Sequence, residues 1–202
     1  NTTLTVNALT SATNPTTTVE TCAGSSFTLN LGTIQGTNLV FGWYKDWAKI
    51  TTSEGGLYSN FTTSGLGFNN VPLSLTGNYF AVVSGLCSEI TTTGTTITAN
   101  PLNSISSITV SSANICEGSA FQLGFQSISG VNLKYQWLKN GNPLSAISDG
   151  GIYGSSFSTT GLVFSNALLS LSGENYAVSV VGFCPSIVSS SVNPLIKTTT
   201  SA

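Results

Sequence analysis

The chain has no histidine, no methionine and no arginine. Its five cations are all lysines (Lys45, Lys49, Lys134, Lys139, Lys197), and charged residues make up 6% of 202 positions. Ordinary soluble domains carry about 25%. Each absence removes a chemistry. Nucleic-acid backbones are gripped by clustered Lys and Arg, so no nucleic-acid partner is expected. Without histidine there is no Ser-His-Asp triad, no Cys-His dyad and none of the commonest metal ligand. The seven carboxylates (Glu20, Asp46, Glu54, Glu89, Glu117, Asp149, Glu174) are scattered through turn-like stretches. A glycosidase pair could arise from them only by tertiary coincidence. No Asp-rich loop suggests calcium, and no two cysteines have zinc-site spacing. The expectation is a protein that is not an enzyme, with no catalytic residues, no metal and no cofactor. No apolar run reaches the roughly 18 residues of a membrane helix, so no membrane span is expected. With no apolar leader and no starting methionine, the chain reads as a processed product or an excised piece.

Hydroxyls and amides stand where charge is missing. There are 60 Ser plus Thr and 21 Gly, with a formal net charge of -2. Such a surface is wet but nearly neutral, and low net charge favours association.

The sequence is also written twice. "GTNLVFGWYKDWAKI" from Gly36 returns as "GVNLKYQWLKNGNPL" from Gly130, 94 positions on. Cys22-Ala-Gly-Ser-Ser-Phe27 returns at Cys116 to Phe121 with the same offset, Gly65-Leu-Gly-Phe68 at Gly161 to Phe164 with 96, and Tyr79 and Cys87 at Tyr176 and Cys184 with 97. Insertions between matched segments land in loops. Asn100-Pro101-Leu102 recurs as Asn193-Pro194-Leu195, which places a boundary near Asn100 and Pro101. Two domains are expected: 1–100, with an extended N-terminal segment over about 1–15, and 101–202, with a short tail from about 195.

Each copy is patterned for strands. "FTLNL" (27–31) and "FQLGF" (121–125) alternate apolar with polar or small residues, which puts Phe and Leu on one face. "EITTTGTTITA" is rich in β-branched residues and reads as a terminal strand. Short strands punctuated by Gly, Asn and Ser at regular spacing indicate a sandwich or barrel.

Leu31 to Trp43 and Phe125 to Trp137 are both twelve positions apart, and Leu66 to Tyr79 follows the E–F segment of an immunoglobulin domain, ending on the tyrosine that opens strand F. Each half therefore resembles an immunoglobulin-like domain. More narrowly, "CxGS", "NLxxxWxK" and "Y…VVSGLC" resemble the Ig-like repeats of large secreted surface proteins of Bacteroidota. The resemblance implies an all-β chain of two tandem immunoglobulin-like sandwiches. Trp43, Trp137, Tyr79, Tyr176, Leu31 and Phe125 would be core residues, with Leu31/Ala81 and Phe125/Val178 standing where the usual inter-sheet disulfide would be.

The four cysteines lie elsewhere: Cys22 and Cys116 at the start of strand B, Cys87 and Cys184 beyond strand F. Four cysteines allow three pairings. Matched spacings of 65 and 68 favour Cys22–Cys87 and Cys116–Cys184. The topology of an Ig domain puts those positions at opposite ends and argues against that choice. Either way, disulfides imply an oxidising, extracellular setting.

Trp47 has Gly141 as its counterpart, belongs to the C–C′ turn, and with Tyr44 is a possible surface contact, including to glycans. Leu4 and Val6 alternate with threonine in an edge-strand pattern. The segment is either an arm that adds to the sheet of a neighbouring copy or the first strand of domain 1 itself. Asn1-Thr-Thr and Asn60-Phe-Thr are formal glycosylation sequons. These features together suggest a subunit or segment of an extracellular filament or adhesin, partnered by its own copies or by neighbouring Ig-like domains. The alternative is a carbohydrate-binding or spacer module.

Overall fold

A computed structural model describes residues 2–13 and 16–198. The chain divides between Asn100 and Pro101 into two compact units. Among the described residues there is no α-helix, only strands and single turns of 3-10 helix.

In unit 1 the strands are β1 (Ser11–Ala12), β2 (Thr18–Cys22), β3 (Phe27–Asn30), β4 (Ile34–Gln35), β5 (Val40–Lys45), β6 (Ala48–Lys49), β7 (Tyr58–Ser59), β8 (Gly65–Phe68), β9 (Gly77–Ser84), β10 (Glu89–Thr91) and β11 (Thr95–Asn100). One sheet runs β2-β11-β9-β5-β6, with β10 on the end of β9; the other runs β3-β8-β7. The β5·β9 ladder sets Trp43 opposite Ala81. Alternation then sends Trp43, Tyr79, Ala81 and Val83 inward to meet Leu29, Leu66 and Phe68 of the other sheet. Trp43 has no exposed surface, and its Nε1 donates to the Thr63 carbonyl at 2.9 Å, so the indole is buried with its one polar atom satisfied.

The stretch read as one terminal strand forms two. Thr92 turns toward β9, its N–H donating to the Ala81 carbonyl while its Oγ1 accepts from the Ala81 N–H. Gly94 then passes against Asn78, whose amide leaves no room for a Cβ. Past this break, β11 pairs antiparallel with β9 and parallel with β2.

Unit 2 repeats the plan with β12 (Ser104–Ile105), β13 (Ile108–Val110), β14 (Ile115–Cys116), β15 (Phe121–Phe125), β16 (Ile128–Ser129), β17 (Lys134–Lys139), β18 (Asn142–Pro143), β19 (Leu162–Phe164), β20 (Tyr176–Val181), β21 (Ile187–Val188) and β22 (Ile196–Lys197). Its sheets are β18-β17-β20-β21 and β13-β15-β19. Trp137 faces Val178, is fully buried, and donates from Nε1 to Thr159 O at 3.0 Å. Phe125, the counterpart of Leu31, is half-buried against the same core. Residues 196–197 are not part of a tail: Ile196 pairs with Ile115 of β14 in parallel and is buried.

The units differ at strand B. In unit 2, β15 is flanked by β13 on one side and β19 on the other. In unit 1, β3 is flanked by β8 alone among the described residues.

Candidate assembly surface

Residues 2–9 join no ladder, and Leu4, Val6 and Leu9 are 88%, 86% and 71% exposed. The segment is thus not a first strand of unit 1. That place is taken by β1, where Ser11 faces Gln35 as Ser104 faces Ser129 in unit 2. Among the described residues the arm is tied at Asn7, whose carbonyl also accepts from Cys87 Sγ at 3.9 Å, and at Thr10. Thr10 N donates to Ser88 Oγ, Thr37 Oγ1 to Asn7 Oδ1, and Thr10 itself is buried beside Gly36 and Gly85. Gly36 has φ +135, and a Cβ on Gly85 would overlap Thr10 Oγ1, so both glycines are required for this plug.

Trp47 lies in the two-residue turn between β5 and β6 and is 82% exposed. Asp46 and Trp47 both have positive φ (46 and 70), the geometry of a type I′ turn. The matching turn in unit 2 is Asn140-Gly141, a sequence suited to it. Tryptophan holds a left-handed conformation that glycine would adopt freely, at a cost of about 1–2 kcal/mol. Its ring leans on Phe80 (4.8 Å, 57°), and Phe80 stacks on half-buried Tyr44 at 5.1 Å. Three rings therefore cluster at one edge of unit 1. Asn60 is exposed at φ 56, whereas Asn1 lies outside the described residues.

The cysteines depart from the spacing-based pairing. Cys22 and Cys184 are disulfide-bonded, and Cys87 and Cys116 carry exposed free thiols. The reason is geometric. Cys22 pairs with Asn100, just past the start of β9, where Ile97 faces Gly77. Cys87 lies in the turn beyond the other end of β9, next to Gly85 and Ser88. A strand from Gly77 to Ser84 separates them by about 23 Å at 3.3 Å per residue, far past the ~7 Å Cα limit for a bridge. In unit 2, Cys116 pairs with Lys197 and Cys184 follows the far end of β20, so Cys116–Cys184 is excluded likewise.

A polar chain crosses each core. Tyr79 Oη donates to Leu75 O at 2.8 Å and lies 3.2 Å from Tyr58 Oη. In unit 2, Tyr176 and Tyr153 hydroxyls are 3.1 Å apart, Tyr153 donates to Asp149 Oδ2 at 2.6 Å, and Asp149 pairs with Lys139 at 2.8 Å. Burial pushes all four phenols up, Tyr176 to about 12. Burial also raises the Asp149 carboxyl, but hydrogen bonds from Lys139 and Tyr153 outweigh it and hold the group below its usual value. A shallow cleft of ≈ 300 Å³ beside this network is lined by Lys139, Asn142, Leu144 and Asp149. Neither the phenols nor Asp149 is tuned toward neutral pH; they anchor the loop before β19 to β17. Sequence reasoning passed over these tyrosine pairs, although Tyr58 and Tyr153 recur at a 95-residue offset.

No family model and no curated protein matches the sequence. Solved structures do. A titin I-band fragment superposes with a TM-score of 0.66 at 16% identity, covering 96% of this chain and 67% of the fragment. Extracellular domains 3–5 of Drosophila OTK give 0.66 at 16%, covering 95% and 63%. Murine CEACAM1b gives 0.54 at 14%, covering 94% and 100%. The fold is immunoglobulin-like, in tandem. At these identities the likeness is one of fold alone, and the chain spans about two thirds of the titin and OTK fragments. No helix among the described residues is long and apolar enough to cross a membrane.

Proposed function

We propose that this chain is a non-catalytic structural segment of an extracellular filament or adhesin, built from Ig-like units and joined to further copies of itself. The observation that carries the reading is the arm: apolar Leu4, Val6 and Leu9 stand in solvent with no ladder partner. Exposed backbone and apolar side chains in an edge-strand pattern favour pairing with another chain. A surface nearly free of charge lowers the repulsion between copies. The disulfide supports an extracellular setting, as does the resemblance to Bacteroidota surface repeats. Electron microscopy and sedimentation of the purified chain test the reading. Polymers whose length grows with concentration are expected, and a monodisperse monomer at all concentrations overturns it.

A second reading rests on Trp47. A strained, exposed indole beside Phe80 and Tyr44 is a platform for the apolar face of a sugar ring, as in a carbohydrate-binding module. Glycan binding that Trp47→Ala abolishes, in a chain that stays monomeric, would favour it.

A further inference from the structure

The two units should be equal at strand B and are not. In unit 2, Ile108, Thr109 and Val110 pair with Phe125, Gly124 and Leu123, and Ile108 and Val110 close the core over that edge. Among the described residues unit 1 has no such strand. Nine residues separate β12 from β14, but only five, 13–17, separate β1 from β2. Thr13 O still accepts from Gly32 N, while Thr16 O and Thr17 O already accept from Thr95 Oγ1 and Thr96 N on β11. Thr16 and Thr17 thus lie with β11 rather than beside β3.

Three observations mark the consequence. In β3 the odd residues bond toward β8, as Leu31 N does to Ser64 O, so the ladder's alternation leaves the Thr28 and Asn30 backbone groups facing an edge with no partner strand among the described residues. Thr28 and Asn30 are exposed. Phe27 is half-buried, whereas its counterpart Phe121 is buried.

A segment of the same pattern lies elsewhere in the sequence. Leu4-Thr5-Val6 matches Ile108-Thr109-Val110 in pattern, and it lies in the arm without a partner. We infer that residues 3–7 of one copy complete the edge of β3 in unit 1 of another copy, antiparallel, with Leu4 opposite Leu31, Thr5 opposite Asn30 and Val6 opposite Leu29. This register is the unit 2 register carried over at the 94-residue offset of Phe27 and Phe121. Leu4 and Val6 then cover the core as Ile108 and Val110 do, and Thr5 stays outward with Thr109. The donor is another copy because the arm's own course leads away. β1 runs antiparallel to β4, so residues before Ser11 continue past Gln35 toward Thr37, where Asn7 is held, rather than back toward β3. The inference rests on the self-assembly reading above and names its joint.

Directed cross-linking tests it. Thr5→Cys is made in one preparation and Asn30→Cys in another of different mass, both carrying Cys87→Ser and Cys116→Ser to remove the free thiols. Directly opposed Cα atoms in an antiparallel ladder lie about 5.5 Å apart, within disulfide range. On mixing and mild oxidation, a Thr5–Asn30 disulfide between the two masses is expected, together with slowed exchange of the Thr28 and Asn30 amides as concentration rises. The control partner is Gly124→Cys, whose edge β13 already occupies and whose Cβ has open space; it should give no cross-link. Polymers without the Thr5–Asn30 bond overturn the joint and leave the filament reading standing. Absence of both polymer and bond removes the two together. Equal cross-linking to Gly124→Cys, or a bond formed only within one chain carrying both substitutions, also overturns the inference.

Discussion

Tyr79→Phe isolates the polar chain of unit 1. The ring is fully buried, so phenylalanine keeps the packing and removes one oxygen. That oxygen donates to Leu75 O at 2.8 Å and meets Tyr58 Oη at 3.2 Å. Its loss strands a carbonyl and a phenol inside the core. A buried hydrogen bond contributes about 1 kcal/mol net, and each stranded group costs about 1–3. Partial relaxation brings the expected destabilisation of unit 1 to about 3 kcal/mol, or ~12–24 °C in a unit of this size at ~4–8 °C per kcal/mol. Tyr176→Phe should cost less, because Tyr153 keeps its bond to Asp149 when Tyr176 is truncated. Calorimetry, with hydrogen exchange of the β9 amides to assign the transition, measures both. A shift under ~3 °C for Tyr79→Phe, or a larger one for Tyr176→Phe, refutes the assignment of stability to this network.

Three further outcomes follow from the same structure. The four phenols are raised in the folded state, so folding favours their protonated form. Stability should be complete below about pH 10 and fall as pH rises toward about 12; a urea midpoint unchanged across that window contradicts it. Alkylation without reductant should label Cys87 and Cys116 alone, read by peptide mapping, and label on Cys22 or Cys184 contradicts the thiol assignment. Trp47→Gly should leave unit 1 as stable or slightly more so. Relief of about 1–2 kcal/mol of turn strain offsets the lost contact with Phe80, and a loss beyond ~1 kcal/mol would show that the ring contact outweighs the strain.

The sandwiches are legible in the sequence because alternation and the Leu–Trp–Tyr spacings are side-chain patterns, and side chains are what a sequence displays. What it concealed belongs to the backbone. Leu4-Thr5-Val6 and Ile108-Thr109-Val110 read alike, yet only the second is in a ladder: the first precedes β1, whereas the second follows β12, the counterpart of β1. Asn100-Pro101 and Asn193-Pro194 also read alike. By pairing, however, the counterpart of Asn100 (opposite Cys22) is Lys197 (opposite Cys116). The break at Gly94 depends on Asn78, sixteen residues away, and so left no local signal. The matched cysteine spacings misled for a similar reason. Equal separation along the chain carries no information about which end of a strand each residue occupies.

The parallel pairing of β2 with β11 has a mechanical consequence. β2 lies near the entry of unit 1 and β11 at its exit, so tension on the two ends pulls the paired strands in opposite directions along their length. Their five registered pairs, Thr18 to Cys22 against Thr96 to Asn100, are then loaded in shear and must yield together. In unit 2 the same joint, β14 with β22, holds two pairs. A joint of two pairs resists shear less than one of five, so the two units meet the same pull with unequal joints.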